Sequence, residues 1–168
     1  TAQSERNDPI RTMRLSNLAD YAVVTMCAAA RHCGFSRVSA TDLAQETGLP
    51  LPTVQKLISH LTKAGLLRSA RGTGGGIQLA RPPAAISLAE IVEAVEGPIA
   101  LTACVEEGRH DCALEAQCQV RPHWGVVNEA LRGALADVSL ARLAQVREAA
   151  KRYFNMNNYV QVVLYPEK

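Results

Sequence analysis

No stretch of this chain approaches the roughly 20 consecutive apolar residues that a membrane-spanning helix requires. The opening TAQSERNDPIRT also lacks the basic-then-apolar layout of a secretion signal. Both absences predict a cytoplasmic protein with no membrane partner. Cysteine is scarce, five in 168 residues, and the odd number argues against a disulfide framework. None of the five forms a CxxC pair, so a thioredoxin-type redox enzyme has no support. The glycine-rich stretch RGTGGG, residues 71–76, is followed neither by the Lys-Ser/Thr of a P-loop nor by a helix of the dinucleotide-binding type. No base, nucleophile or pocket stands out in the sequence, and the expectation is that the chain is not an enzyme.

What is present begins with an uneven charge. Residues 1–81 carry 10 Lys/Arg against 5 Asp/Glu, a balance of +5, while residues 82–168 carry 8 against 11, a balance of −3. The first part can meet phosphate and the second is poorly suited to it. With 48% hydrophobic residues, the length suffices for one substantial core and a second small substructure.

Residues 1–12 are polar and aperiodic and read as a flexible leader or tag ahead of Met13. In MRLSNLADYAVVTMCAAARHCG, Leu15, Leu18, Ala22 and Met26 recur at helical spacing and Gly34 supplies a stop. VSATDLAQETG offers Ser39 as a cap with Asp42 three residues later, then Leu43 and Ala44 facing inward and Gly48 as terminator. After LPLP, the stretch TVQKLISHLTKAG places Val54, Leu57, Ile58 and Leu61 on one stripe and ends at Gly65. Two short helices joined around Gly48 form a helix-turn-helix, whose second member enters the major groove of DNA.

The extended segments LLRSA and IQLAR flank RGTGGG, so a hairpin follows the helix pair and completes a winged helix. The DNA-contact candidates are Thr53, Gln55 and Lys56 early in the recognition helix, with Ser39, Thr41 and Arg71, the last at the hairpin tip. Gln55 suits adenine and Lys56 a phosphate, whereas His60 and Lys63 lie too late on the helix for base edges. A winged helix that serves only as a protein adaptor is the rival reading, and the basic first half and Arg71 weigh against it.

ISLAEIVEAVEG reads as a helix with a Ser87–Glu90 capping box, a stripe of Leu88, Ile91, Val92 and Val95, and Gly97 as its end. Further on, PHWGVVNEALRGALADV spaces Val127, Leu131, Leu135 and Val138 along one face of a long helix, with Trp124 near its start. That helix exceeds what a small winged helix needs, and a homodimer seam is its expected role. A last helix starts after Ser139 and runs to about Tyr153. The fold class is thus mainly α with a small β wing: a winged helix-turn-helix domain over 13–98, a cysteine-bearing loop over 99–122, a dimerisation helix and following short helix over 123–152, and an unassigned tail over 153–168.

Cys104, Cys112 and Cys118 fall within ACVEEGRHDCALEAQC, and so tight a group in a reducing compartment points to metal or redox chemistry. Cys27 and Cys33, on and just after the first helix, read as structural thiols.

The run from MRLSNLADYAVV through RGTGGGIQLARPPAAISLAEIVEAVEG to the three cysteines, about residues 13–145, resembles the IscR/NsrR/RirA family of dimeric winged-helix transcription regulators. Within it, the opening and the wing most resemble the branch that regulates iron-sulfur cluster assembly genes of the SUF type. The resemblance implies that Cys104, Cys112 and Cys118 ligate an iron-sulfur cluster, 4Fe-4S or 2Fe-2S. Thiolates are the soft ligands that such clusters take. The gaps of seven and five residues depart from the five and five of several members and resemble the iron-responsive branch.

A four-iron cluster would need one more ligand. The histidine that some relatives place three residues after the last cysteine is here Arg121, with His123 two further on and His110 inside the loop. The nitric-oxide-sensing branch uses an aspartate of the partner's first helix, and the matching residue is Asp20, which is favoured over His123. The implied function is a repressor whose promoter affinity follows the state of its cluster, through a shift between populations with differently placed recognition helices. Alternatives are an iron- or nitric-oxide-responsive regulator of the same family, and a zinc- or thiol-based winged-helix protein with no cluster.

Overall fold

The computed structural model describes residues 14–33, 37–70, 72, 75–105, 112 and 117–145. Ser16 opens the first helix, α1 (Asn17–Arg31), its hydroxyl oxygen accepting from the Leu18 and Ala19 amides, each at 3.1 Å. A side-chain acceptor at that point satisfies amides that have no partner inside the helix, so the helix begins there and not at Met13. Leu15, expected on the buried stripe, precedes the cap and stands 45% exposed. Ala19, Ala22, Met26, Ala28 and Ala29 are on the buried side, and α1 packs against a later helix, α4 (Leu88–Glu96). The Ser16 hydroxyl also donates to the Glu96 carboxylate at the far end of α4.

The second helix, α2 (Ala40–Thr47), has the capping box read from its sequence: Ser39 accepts from the Asp42 amide and Asp42 accepts from the Ser39 amide. It stops at Gly48, whose φ of 72° is the left-handed conformation that costs glycine nothing. After Pro50 the chain turns into α3 (Leu51–Lys63), where Val54, Leu57, Ile58 and Leu61 are all buried. These side chains meet Met26 and Leu43 in one core, which also takes in Leu66, Leu67, Ile77, Ile86 and Ile91. Each such fully buried aliphatic side chain stabilises the fold by about 1.5–3 kcal/mol relative to exposure.

The wing is an antiparallel pair, β1 (Leu67–Ala70) and β2 (Gly76–Leu79), in the register Leu67 to Leu79, Arg68 to Gln78, Ser69 to Ile77 and Ala70 to Gly76. A single extended residue before α2 joins it, because Val38 and Ile77 exchange both backbone hydrogen bonds, at 3.0 and 2.8 Å. The wing is therefore fastened to the segment that leads into the helix-turn-helix.

A short 3-10 turn, Pro83–Ala85, precedes α4, which starts with the expected Ser87–Glu90 capping box and ends at Gly97. The next helix is α5 (Arg121–Ala136). Pro122 sits in its first turn, where a missing N–H costs nothing, so the helix begins two residues before the expected 123 and takes in His123. Its expected apolar stripe is only half realised: Leu131, Leu135 and Val138 are half-buried and Val127 is 47% exposed, while the residue it buries is Asn128.

Beyond α5 the chain returns to the first core. Ser87 and Ser139 form an isolated bridge, the Leu88 amide donates to Val138 at 2.8 Å and the Leu140 amide to Ile86 at 2.8 Å. Leu140 is fully buried there and opens the last helical segment, residues 140–145. The continuation of that helix to about Tyr153, the leader 1–12 and the tail 153–168 lie outside the described residues. Among those described, no helix is long and apolar enough to cross a membrane. Cys27 is buried in α1 as expected, but Cys33, just beyond the end of α1, is exposed.

Candidate functional site

The face of α3 opposite its buried stripe presents Pro52, Gln55, Lys56, Ser59 and Lys63 to solvent, with Thr53 half-buried near the helix start. No side chain caps α3 and no acidic residue lies in its first turn. Its first amides and the positive end of its dipole therefore stay open to an anion. A cleft of about 630 Å³ adjoins this face, lined by the cap Ser39 and Ala40 of α2, Gln55 and Ile58 of α3, and Ser69 and Gly72 of the hairpin, among others. Ser39 and Gln55, far apart in sequence, thus meet at one concave surface beside the wing.

Thr41 is exposed in the first turn of α2 and is not among the residues that line the cleft. The Ser39 hydroxyl is already committed, donating to Asp42 at 2.7 Å, and this bond holds the Asp42 carboxyl below its ordinary range, aided by the Ser39 amide. Ser39 thus serves first as the cap that orients α2. Arg71, assigned to the hairpin tip, lies outside the described residues. Ser69 was not singled out in the sequence, although its place in the extended segment LLRSA beside RGTGGG was a signal for it; it is exposed on β1 and lines the cleft. Arg37, Lys56, Lys63 and Arg68 are exposed cations of this half. Glu46 draws α2 onto the end of α1 by pairing with Arg31 at 3.0 Å and His32 at 3.2 Å. Burial pushes its carboxyl upward, but the His32 bond and the nearby Arg31 outweigh this and hold it low.

The cysteine segment lies between α4 and α5 in the chain. All three of its thiols, Cys104, Cys112 and Cys118, are free and half-buried. Cys104 closes a turn in which the Val105 amide donates to Thr102 at 3.1 Å, and the Thr102 hydroxyl lies 3.2 Å from the Cys104 sulfur. Cys118 stands three residues before α5. Asn128, buried in α5, holds the approach to Cys104 through the backbone of residues 99 and 101. Sequence reasoning missed this asparagine, whose one signal is a polar residue inside an apolar stripe.

Donor chemistry fits a soft metal group: three unpaired thiols on one loop and no disulfide to remove them. Their positions do not yet form a centre, for among the described residues no three His, Cys, Asp or Glu side chains come together as metal ligands. Asp20 is exposed in the first turn of α1 and His123 is exposed in the first turn of α5, and among the described residues neither joins the thiols in a group of three or more ligands. His110 lies outside the described residues.

Comparison with known proteins agrees with this architecture. HTH-type transcriptional regulator IscR of Photorhabdus laumondii subsp. laumondii is 32% identical over 136 residues, covering 81% of this chain and 82% of its own. IscR of Yersinia enterocolitica is 30% identical over 146 residues, covering 87% and 88%. Among solved structures, T. potens IscR superposes with a TM-score of 0.61 at 29% identity, over 83% of this chain and 91% of that one. CymR, the global cysteine regulator of B. subtilis, superposes with a TM-score of 0.62 at 28% identity, over 80% and 98%. Residues 15–146 match the Rrf2 family, described as iron-dependent transcriptional regulators. A helix-turn-helix with a two-stranded wing, α3 open at its amino end and a match across most of its length make this chain a member of the Rrf2 family of transcriptional regulators.

Proposed function

We propose that the chain acts as a dimeric repressor at promoters of SUF-type iron-sulfur cluster assembly genes, with its DNA affinity set by a cluster that Cys104, Cys112 and Cys118 would hold. The observation that carries the reading is the loop itself: three free, half-buried thiols in a Rrf2-family chain, its approach at Ile99 and Leu101 held by the Asn128 side chain of the helix that follows. Cys104 and Cys118 flank the loop and Cys112 stands between them, so a shared ligand would draw the approach to α5 and the 99–105 limb together. Asp20 of a second copy is the favoured fourth donor, since an exposed carboxylate in the first turn of α1 is free to reach outward. His123 is the alternative, five residues beyond Cys118 on α5. When bound, the cluster supplies a redox-active, ligand-exchanging group. At the DNA, Gln55 reads a base edge and Lys56 meets a phosphate, with Thr53, Thr41, Ser39 and Arg71 as further contacts.

The experiment is iron and acid-labile sulfide per chain with a visible spectrum, on protein purified without oxygen, beside Cys112→Ala. Broad absorption with iron and sulfide in the wild type, lost in the variant, together with salt-dependent binding to promoter DNA, is the expected result. Colourless, iron-free protein after anaerobic reconstitution would sink it. A second reading is a thiol- or zinc-based regulator with no cluster. It is favoured by the likeness to CymR, of which an oxidized form from Staphylococcus aureus superposes with a TM-score of 0.58 at 28% identity. Iron-free protein that still binds promoter DNA, and loses it on mild oxidation or zinc removal, would select that reading.

A further inference from the structure

Asn128 is 8% exposed and lies midway along α5, a position where a polar side chain is tolerated only if its hydrogen bonds are met. They are met by backbone groups nearly thirty residues earlier. Its amide nitrogen donates to the Ile99 carbonyl at 2.8 Å, and its amide oxygen accepts from the Leu101 amide at 3.0 Å. Only one orientation of the carboxamide satisfies a carbonyl on one side and an N–H on the other, so the assignment follows from chemistry. The clamped residues run straight into the turn that carries Cys104, whose sulfur lies 3.2 Å from the Thr102 hydroxyl.

One helical turn further along α5 stands Arg132. Its guanidinium grips Glu93 of α4 by two bonds, Nε to Oε1 at 2.8 Å and Nη2 to Oε2 at 3.2 Å. A two-pronged arginine–carboxylate pair fixes orientation as well as distance. From α4 the contacts pass to α1 and to α3. The Cys104 limb, α5, α4 and the helix that faces DNA are thus joined by directional bonds and direct packing.

We infer that Asn128 is the positioning residue that couples the Cys104 limb to α5, so that a change at the Cys104 thiol reaches α4 through Asn128 and then the Arg132–Glu93 pair. The inference rests on the reading of Cys104 as the sensing group, but it needs no cluster: ligation and covalent modification of that sulfur both act through the same clamp.

The test uses the cluster-free full chain, treated or not treated with iodoacetamide, and follows amide hydrogen exchange in the peptides of α5 and α4 by mass spectrometry. In the wild type, alkylation is expected to change exchange at least about threefold in both helices. Cys104→Ser removes the response, which assigns it to that sulfur among the alkylated thiols. In Asn128→Ala the Cys104 thiol is still alkylated but neither helix responds. In Arg132→Gln, a partly exposed position that leaves the clamp intact, α5 responds and α4 does not.

A wild-type response that persists in both helices of Asn128→Ala overturns the inference, as does a wild type that does not respond, or a response that survives Cys104→Ser. Circular dichroism melting checks that Asn128→Ala folds. If it does not, Arg132→Gln decides, and an undiminished response in α4 overturns the relay. Failure of the cluster reading appears elsewhere, as absence of iron and sulfide from the wild type, and leaves the exchange result standing.

Discussion

Gly76 and Arg37 approach so closely that a methyl group on Gly76 would stand 2.8 Å from the Arg37 Cβ and 3.1 Å from the Val38 carbonyl oxygen. Gly76 also has a φ of 140°, a backbone conformation that other residues rarely adopt. Strain and collision act together. Gly76→Ala is expected to cost about 1–3 kcal/mol, read as a melting temperature lowered by about 2–4 °C per kcal/mol for a chain of this size. A melting curve that overlays the wild type would show that the wing can move away from the α2 approach without penalty.

Leu140 lies beyond α5 and is fully buried in the core built by α1, α3 and α4. Leu140→Ala should therefore destabilise the winged helix itself, by about 2–5 kcal/mol. Chemical denaturation followed by α-helical circular dichroism measures this. A loss near zero, or a separate early transition with the rest unaffected, would mean that the return of the chain is not part of the core.

Glu90 accepts from the Ser87 amide at 2.9 Å and pairs with Arg81 at 2.6 Å. Burial raises its carboxyl, yet the Arg81 and Ser87 bonds outweigh this and hold it below its ordinary 4.5. A carboxyl with a lower pKa folded than unfolded stabilises fully above the unfolded value and loses this as pH falls through the folded one, because the unfolded state binds more protons there. The stability difference between wild type and Glu90→Gln should thus be constant above about pH 6 and shrink below pH 4.5. A difference that grows on acidification would contradict the sign. Ser87→Ala, which removes the other half of the box, should cost about 1 kcal/mol at neutral pH.

Gln55 and Lys56 are neighbours on the exposed face of α3 but should fail differently. Lys56→Ala should weaken binding to all duplexes and lower the slope of log affinity against log salt by about 1. Gln55→Ala should cost about 1–3 kcal/mol at one base pair and leave that slope unchanged. Fluorescence anisotropy over a salt series, with operator and scrambled duplexes, separates the two. Equal salt slopes for both variants would remove Lys56 from phosphate contact.

The parts legible in the sequence are those fixed by near neighbours. Ser39 with Asp42 and Ser87 with Glu90 are three residues apart and cap their helices as read. Val54, Leu57, Ile58 and Leu61 repeat within eight positions and are all buried. What escaped depends on partners distant along the chain. Asn128 looks like an interruption of an apolar stripe until Ile99 and Leu101 are brought beside it. Leu15 fits helical spacing, yet Ser16 ends the helix before reaching it. Periodicity marks α5 as amphipathic but says nothing of what lies opposite, and Val127 remains largely open to solvent. At the cysteine loop, the three thiols are legible as residues, whereas their grouping depends on chain geometry that spacing alone does not specify.

The pair of hydrogen bonds between Val38 and Ile77 gives the molecule the character of a fixed gauge. With hairpin and helix pair locked to one another, the span from the α3 face to the wing is set before any duplex arrives. If a duplex seats on both, the prediction is that it supplies the accommodation itself, by bending or by a change in groove width. Two operators with identical base contacts would then be ranked by stiffness, and base pairs that no side chain touches would still count toward selection.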